Sequence, residues 1–463
     1  MENWTDRIFY HIYPIGMCGA PKQNDFCSPA GNGLLSLVKH IPRLLSLGIN
    51  ALYIGPLFES SSHGYDTVDY YHVDRRLGNN NDLKELTGIL HENGISVILD
   101  GVFNHTGRDF FAFKDVKEKR ENSQYSNWYF NINFSQNNEY NDGFTYEGWA
   151  GHKSLVKLNL DCRDVRDHLL GAVKYWIKEF DIDGLRLDAA NVISIDFLKE
   201  LSSFSKNLKK TFWLMGEIVA GDYRSLAHEG CLDSATNYEL YNSLWSCFHN
   251  QNIYELAWTL KREFSDGGLY PDLTLYNFAD NHDVNRVASS LNDQANLFPL
   301  YGALFCSPGI PSIYYGSEYG IYGKRNNHND YDLRPAWEDA WTQSNIGKDL
   351  FKEICRFSKL RRESEALKNG KFCELLVSYE QIFAFSRETN NEIIIVTINA
   401  TQKKKECMLY NEKIGNSEWI DLLSEEIFTA KNNTLEILLY PSWLRILKII
   451  SVQNKSPYHT NSG

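Results

Sequence analysis

Short, unbroken apolar runs recur along the chain and alternate with stretches of helical period. The runs occupy residues 8–15, 51–55, 95–103, 184–189, 212–218, 273–279 and 310–316. Unbroken runs are typical of strands buried on both faces of a parallel sheet. Between two of the runs, an apolar stripe at helical spacing predicts a helix from Arg166 to Phe180. The pattern therefore predicts an α/β fold.

The spacing of the runs predicts the number of strands, because one strand–helix–strand unit takes about 30 residues. Asp188 and Glu217 are 29 residues apart, which is one unit. Glu217 and Asp283 are 66 residues apart, which is two units, so residues 231–240 are predicted to hold a further strand. Eight strands result, and eight such units favour a (β/α)8 TIM barrel.

Two further modules are predicted from changes in this pattern. Residues 106–160 are rich in Asn, Tyr and Phe without a helical period, which indicates a small domain inserted after strand 3. From residue 368 to 463 strand patterns replace the alternation, which predicts a C-terminal all-β domain, a β-sandwich. The barrel itself is then assigned residues 1–105 and 161–367.

Composition and charge exclude several classes of protein. With 47 Lys and Arg against 59 Asp and Glu, the net charge of −12 argues against nucleic-acid and anionic-membrane partners. No apolar run is long enough to span a bilayer and no signal peptide is recognisable, so we expect a cytoplasmic protein. Nine scattered cysteines without a CxxC pair indicate neither a disulfide framework nor a zinc site.

Polar side chains stand where the predicted barrel strands end. They are Asp100 to His105 after strand 3, Arg186 and Asp188 on strand 4, Glu217 on strand 5, and His282 with Asp283 after strand 7. The carboxyl ends of barrel strands meet on one face, so one pocket is predicted. A single carboxylate is most often an ordinary surface charge, but three at strand ends fit glycosidic bond cleavage. A pair separated by about 5 Å would retain the anomeric configuration.

At these positions the chain resembles a known family. The motifs DGVFNH (100–105), GLRLD (184–188), GE (216–217) and NHD (281–283) resemble those of the alpha-amylase family, glycoside hydrolase family 13, over essentially the whole chain. Two further stretches, LVKLN (155–159) and SSHGYDTVDYYHVD (61–74), are similar to the neopullulanase and cyclomaltodextrinase branch. We expect the chain to lack the N-terminal domain of that branch.

The resemblance implies a role for each of three carboxylates. Asp188 would be the nucleophile, Glu217 the general acid and base, and Asp283 the stabiliser of the transition state. Arg186 precedes Asp188 by two residues and shares its strand face, so its cation is expected to keep the carboxylate ionised. Glu217 needs a pKa raised by burial for its task.

The resemblance also implies which side chains contact the sugar. Tyr65 would stack on the ring with Asp66 anchoring the pocket, His105 and His282 would donate hydrogen bonds, Asp330 and Arg334 would grip the non-reducing end, and Trp149 would form a wall. Each has a structural alternative. The histidines could make ordinary structural hydrogen bonds, the Asp–Arg pair could be a surface ion pair, and the tryptophan could belong to the core of the insert.

Departures from the family pattern leave some properties open. Asp188 is followed by Ala189, Ala190 and Asn191 instead of the Lys-His that supports the acceptor and a calcium ion in classical alpha-amylases. Asn104 alone is far short of the six to eight oxygens that calcium takes. We therefore predict no cofactor and no metal site, and a structural calcium is not supported. Linkage preference stays open, since Ile218 and Val219 replace an expected aromatic residue.

The function predicted from these observations is retaining hydrolysis of α-1,4-glucosidic bonds in maltodextrins, cyclodextrins and starch-like oligosaccharides, by double displacement. One alternative is an α-glucan transglycosylase of the 4-α-glucanotransferase kind, or a hydrolase active on α-1,6 bonds. A remote alternative is a non-catalytic carbohydrate-binding homologue, because a fold does not imply a function. The sequence leaves open whether the protein is a monomer or a homodimer.

Overall fold

The computed structural model describes residues 4–326, 329–343 and 345–452, so residues 453–463 of the predicted C-terminal domain lie outside the described residues. The barrel begins with strands β1 (Phe9–Ile12), β2 (Ala51–Ile54) and β3 (Ser96–Gly101). Three short strands of the insert follow, β4 (His105–Gly107), β5 (Gly148–Trp149) and β6 (His152–Lys157). The barrel resumes with β7 (Gly184–Leu187), β8 (Trp213–Gly216), β9 (Ser234–Ala235), β10 (Tyr276–Phe278) and β11 (Ile310–Tyr314).

The eight barrel strands form one parallel sheet in the order β10-β11-β1-β2-β3-β7-β8-β9. A parallel bridge between Thr236 and Tyr276 joins the two outer strands. The sheet therefore closes on itself, and the predicted TIM barrel is confirmed. Every residue of these eight strands is buried, as unbroken apolar runs predict.

Helices connect and cover the barrel strands. They are α1 (Pro14–Met17), α2 (Gly33–Ser36), α3 (Ile41–Ser46), α4 (Asn80–Glu92), α5 (Phe111–Lys119), α6 (Arg163–Phe180), α7 (Ile195–Leu208), α8 (Tyr238–His249), α9 (Tyr254–Phe264), α10 (Val287–Ser290), α11 (Leu297–Cys306), α12 (Asn345–Glu363) and α13 (Glu365–Asn369). The predicted helix from Arg166 to Phe180 is found as α6, which begins three residues earlier. Among the described residues, no helix combines the length and apolarity needed to cross a bilayer.

The strand predicted within residues 231–240 is confirmed, but it is short. Only Ser234 and Ala235 form β9, and α8 already begins at Tyr238. The physical reason is a helix cap, since the Asn237 side chain accepts a hydrogen bond from the backbone N–H of Leu240 and so starts the helix early.

Aromatic rings fill much of the barrel interior. Phe9 and Tyr276 meet edge to face with ring centroids 5.3 Å apart, and Trp213 lies 5.2 Å from Phe9. Trp4 stacks on Trp213 from the amino end of the chain, at 5.0 Å. Aromatic residues, 14 % of the chain, therefore serve the core as well as any sugar site.

The remaining strands are antiparallel and lie at the carboxyl end of the chain. They are β12 (Lys371–Ser378), β13 (Ile382–Glu388), β14 (Ile393–Asn399), β15 (Lys405–Tyr410), β16 (Ser417–Asp421), β17 (Ile427–Thr429), β18 (Thr434–Leu439) and β19 (Trp443–Val452). Six of them form one sheet, while β15 and β18 form a second. The two sheets enclose a core that includes Trp419, Phe428 and Leu435. The predicted C-terminal all-β region is confirmed, whereas the domain boundaries stay predictions.

Candidate active site

Two carboxylates follow neighbouring barrel strands at the same level. Asp188 comes directly after β7 and Glu217 directly after β8. The backbone pairing continues past the strand ends, since the N–H of Asp188 donates to the carbonyl of Gly101 at 3.1 Å and that of Glu217 to Leu187 at 2.9 Å. The barrel therefore places both side chains at its carboxyl end, as the sequence predicted for a single pocket.

The buried guanidinium of Arg186 holds three carboxylates together. Its Nη1 donates to Asp188 Oδ1 at 3.0 Å and to Asp100 Oδ1 at 2.9 Å, and its Nη2 lies 2.8 Å from Glu217 Oε1. Only 3 % of the Arg186 side chain is exposed, so these contacts are made away from water. One cation thus fixes the relative positions of the two predicted catalytic groups.

The Glu217 carboxylate accepts two further hydrogen bonds. The backbone N–H of Ala189 donates to Oε2 at 3.0 Å, and the Tyr238 hydroxyl donates to Oε1 at 3.2 Å. Ala189 has a left-handed backbone, with φ of 47°, immediately after Asp188. The sharp turn of the chain there brings its N–H onto Glu217, so the β7 loop orients the carboxylate of the neighbouring strand.

Asp283 lies in a second set of contacts formed by the loops after β10 and β11. Arg334 donates from Nη2 to Asp283 Oδ1 and from Nε to the carbonyl of His282, each at 2.9 Å. His282 Nε2 lies 2.9 Å from Asp283 Oδ2. The structure therefore brings Arg334 into the site rather than leaving it in a surface pair. Asp330 contacts Arg334 at 3.4 Å and Arg325 at 3.2 Å.

Tyr65 connects the two sets of contacts. Its hydroxyl donates to Asp100 Oδ2 at 3.1 Å and lies 2.5 Å from His282 Nε2. Asp66 next to it accepts a hydrogen bond from the Ser62 hydroxyl at 2.6 Å, which holds this loop in place. The tyrosine predicted as a sugar platform is thus fixed at the centre of the pocket.

His105 and Trp149 lie on the side of the insert. His105 is buried, and its ring centroid is 5.9 Å from that of Trp149. Trp149 and Glu217 line a common cavity of about 320 Å³. Trp149 therefore lies beside Glu217, and His105 contacts the ring of Trp149.

Known proteins share this architecture and sequence. A family model described as the alpha amylase catalytic domain matches residues 28–410. This chain belongs to the alpha-amylase family. It is therefore a glycosidase of the alpha-amylase type, as the motifs predicted.

Relatives within the alpha-amylase family cover nearly the whole chain. A cyclomaltodextrinase of Thermoanaerobacter pseudethanolicus is 33 % identical over 96 % of this chain and 78 % of its own length. Neopullulanase 2 of Thermoactinomyces vulgaris is 31 % identical over 94 % of this chain and 76 % of its own. A solved cyclomaltodextrinase structure superimposes with a TM-score of 0.85 at 29 % identity, covering 96 % of this chain and 78 % of that one. The resemblance to this branch is confirmed.

The electrostatics of Asp188 differ from the expectation. Burial raises the pKa of its carboxyl well above the ordinary value, Arg186 opposes the rise, and the Glu217 and Asp100 carboxylates add to it. Arg186 acts in the predicted direction, since it favours the ionised form of Asp188, but the burial of the carboxyl outweighs it.

Asp283 has the opposite behaviour. Burial would raise the pKa of its carboxyl, but His282, Arg334 and Arg186 together lower the pKa well below its usual range. Asp283 is therefore expected to be ionised at neutral pH. A permanent negative charge at this position suits the stabilisation of a cationic transition state.

Sequence reasoning missed two side chains that hold the site together, Tyr53 and Tyr238. Asp100 was placed in the predicted pocket, but without a role of its own. The Tyr53 hydroxyl donates to Asp100 at 2.8 Å, while that of Tyr238 contacts Glu217. A tyrosine inside a buried apolar strand is the signal that could have found Tyr53. Tyr238 gave no such signal, because the stretch around it, CLDSATNYEL (231–240), is mostly polar.

No metal centre is visible in the described part of the chain, where no three His, Cys, Asp or Glu side chains are grouped to hold an ion. The amide of Asn104, the one oxygen ligand considered from sequence, lies 3.2 Å from His105 Nδ1. The expectation of no cofactor stays a prediction.

Proposed function

We propose that this protein hydrolyses α-1,4-glucosidic bonds of maltodextrins, cyclodextrins and starch-like oligosaccharides with retention of configuration. The proposal rests on one observation: Arg186 forms ion pairs with both Asp188 and Glu217, which follow adjacent strands. The similarity to a cyclomaltodextrinase and a neopullulanase supports the substrate class. A neutral glucan also suits a protein with a net charge of −12.

In the first step Glu217 donates its proton to the glycosidic oxygen, and the bond from that oxygen to the anomeric carbon breaks. Asp188 attacks the same carbon and forms a covalent glycosyl ester. The Asp283 carboxylate stabilises the positive charge that develops on the sugar ring. His105, His282 and Tyr65 hold that ring, and Asp330 with Arg334 bounds the non-reducing end.

In the second step the Glu217 carboxylate takes a proton from water, whose oxygen attacks the anomeric carbon and displaces Asp188. Two inversions restore the α configuration. The backbone N–H of Ala189 and the hydroxyl of Tyr238 orient the Glu217 carboxylate that acts as the base at this stage. Glu217 then carries the proton taken from water, and Asp188 is released as a carboxylate.

A product profile across maltotriose, a cyclodextrin, pullulan, panose and soluble starch tests this function. We expect glucose and maltose from maltotriose, opening of the cyclodextrin ring, and an α-anomeric product by proton NMR. Predominance of products longer than maltotriose would contradict hydrolysis, and cleavage of panose or pullulan at α-1,6 bonds alone would contradict the linkage. A β-anomer as first product would contradict retention.

Transfer to a second sugar is the other candidate, because of the cavity beside Glu217. It is lined by Trp149 and by the exposed side chains of Val192 and Val219, 49 % and 55 % exposed. Apolar surfaces of this kind bind the CH faces of a pyranose. We propose that the insert, residues 106–160, supplies this acceptor wall through Trp149.

The variant Trp149→Ala tests the acceptor wall. With maltotriose in excess, we expect the ratio of longer products to glucose to fall about fivefold, in line with the loss of one aromatic contact. Tyr140→Ala in the same insert is the matched control, since Tyr140 is 47 % exposed and does not line the cavity. An unchanged ratio in Trp149→Ala would remove the insert from acceptor binding.

We also propose where the protein resides in the cell and which oligomeric states it forms. All nine cysteines are unpaired, which suits a reducing compartment such as the cytoplasm. Cell fractionation with antibody detection would test this, and recovery from the medium would contradict it. The protein is either a monomer or a homodimer, which light scattering would decide.

A further inference from the structure

His11 on β1 is a buried histidine for which the proposed mechanism has no role. Its side chain is buried at 2 % exposure, and its ring stacks on Tyr53 with centroids 4.2 Å apart and planes at 20°. It also meets the ring of His282 edge to face, with centroids 5.2 Å apart and planes at 88°. His11 therefore contacts a histidine that lies against the proposed sugar ring.

The facing imidazoles each have one nitrogen without a hydrogen-bond partner. These buried atoms are Nε2 of His11 and Nδ1 of His282, and neither finds a partner within the described residues. The other nitrogen of His282, Nε2, is already committed to Asp283 and Tyr65 at 2.9 and 2.5 Å. Buried polar atoms are almost always satisfied by protein or by ordered water. Two such atoms on touching rings therefore indicate one shared link.

We propose that His11 is a positioning residue for His282. A hydrogen-bond link through one ordered water joins Nε2 of His11 to Nδ1 of His282. A neutral imidazole has one donor nitrogen and one acceptor nitrogen. A donor delivered to Nδ1 keeps the His282 proton on Nε2, where it is donated to Asp283. His11 thus sets the tautomer of a side chain that it contacts, without touching the sugar.

The surroundings of His11 keep it neutral. Burial lowers the pKa of His11 well below its ordinary value, and His282, Arg186 and Arg286 lower it further, while Asp283 opposes them. The neighbouring rings of Tyr53 and Tyr314 bring no ionised group. His11 therefore stays neutral, and the proposed link is present, across the neutral pH range.

The inference deepens the proposed function and rests on it only where activity is measured. The link itself is a property of the folded protein and is visible without substrate. Imidazole ¹⁵N chemical shifts distinguish the two neutral tautomers and the cation. In the unmodified protein we expect the His282 signals of the Nε2–H tautomer, and signals of the Nδ1–H tautomer would overturn the proposal whatever the activity.

Two substitutions distinguish the effect of the His11 ring nitrogen from the effect of ring packing. His11→Phe keeps an aromatic ring against Tyr53 but removes the donor, and His11→Gln restores a donor without the ring. For His11→Phe we expect mixed His282 tautomers, a loss of about tenfold in kcat/KM on maltotriose and a shifted pH profile. His11→Gln is expected to recover most of the rate and the original profile.

His168→Phe is the matched control. His168 lies on α6, its Nε2 is also buried without a partner, and its ring packs against Tyr70 and Trp128. We expect no change in the His282 signals or the pH profile in this variant. Unchanged His282 signals in His11→Phe, or a lower melting temperature with the wild-type pH profile, would contradict the proposal. His11 would then only pack in the core. Inactivity of the unmodified protein on every glucan would refute the proposed function, and the ¹⁵N signals would still decide the link.

Discussion

Asp188 and Asp283 face the same pocket from opposite electrostatic surroundings. Asp188 shares one guanidinium with Asp100 and Glu217, so three carboxylates compete for a single cation. Asp283, by contrast, contacts two basic side chains, Arg334 and His282. Burial accordingly raises the pKa of Asp188, while the neighbouring cations lower that of Asp283.

The difference suits the two tasks proposed for these aspartates, nucleophile for Asp188 and stabiliser of the transition state for Asp283. A nucleophile must lose its hydration and form a bond, so a carboxylate whose charge is poorly compensated is more reactive. The same poorly compensated charge lowers the stability of the folded protein. A group that only stabilises positive charge gains from being permanently ionised and firmly held. Active sites commonly trade stability for reactivity in this way, and here the trade is confined to the side of the pocket next to β7 and β8.

The largest effect is expected for Asp188→Asn. Loss of the nucleophile should lower kcat on maltotriose by about 10⁴-fold or more, because the carboxylates act as a unit. Initial-rate assays with a sensitive glucose readout measure this. Asp272→Asn, at an exposed position, is the matched control and should keep full activity. Wild-type turnover by Asp188→Asn would exclude Asp188 as the nucleophile.

A smaller effect is expected for Arg334→Lys, which tests the other side of the pocket. Arg334 makes two hydrogen bonds at once, to Asp283 and to the His282 carbonyl, and a lysine ammonium cannot reproduce that fork. We expect kcat/KM on maltotriose to fall about 100-fold, with the charge conserved. Arg325→Lys, which keeps the contact to Asp330 from a more exposed position, should lose less than threefold. A loss below threefold in Arg334→Lys as well would mean that the charge suffices without the two hydrogen bonds.

The smallest effect is on stability, and its sign differs between the two aspartates. A carboxyl whose pKa is raised on folding makes the protein less stable as pH rises through that pKa, so Asp188→Asn should raise the melting temperature at pH 7 by about 2 °C. A carboxyl whose pKa is lowered stabilises the fold above its unfolded pKa, so Asp283→Asn should lower the melting temperature by about 1 °C. The effect is modest, because 35 % of the Asp283 side chain is exposed and screened.

The pH dependence sharpens this contrast. At pH 4, near the unfolded pKa of an aspartate, the gain in Asp188→Asn should largely vanish, because the native carboxyl is then protonated. The cost in Asp283→Asn should persist there, since that carboxyl stays ionised until the pH falls towards its lowered pKa. Thermal scans of both variants at pH 4 and pH 7 provide the measurement. Shifts of the same sign at pH 7 would contradict the assigned difference in surroundings.

Much of the fold follows from local patterns in the sequence. The buried runs from Phe9 to Ile12 and from Ile310 to Tyr314 predict parallel strands, because an unbroken apolar run is typical of a strand covered on both faces. The strand predicted within residues 231–240 is present but covers only Ser234 and Ala235, because the helix capped by Asn237 begins at Tyr238. Where a strand ends and the next helix begins depends on tertiary neighbours as well as on local preference.

The sequence by itself determined that Asp188 and Glu217 end adjacent strands and that Arg186 shares the strand face of Asp188, since strand period and spacing are local properties. Only the tertiary structure decided that Arg186 would be divided among three carboxylates, that Arg334 would reach Asp283, and that His11 would touch His282. These contacts join residues that are far apart in the chain. Their charges and distances depend on how the barrel closes, which no single segment encodes.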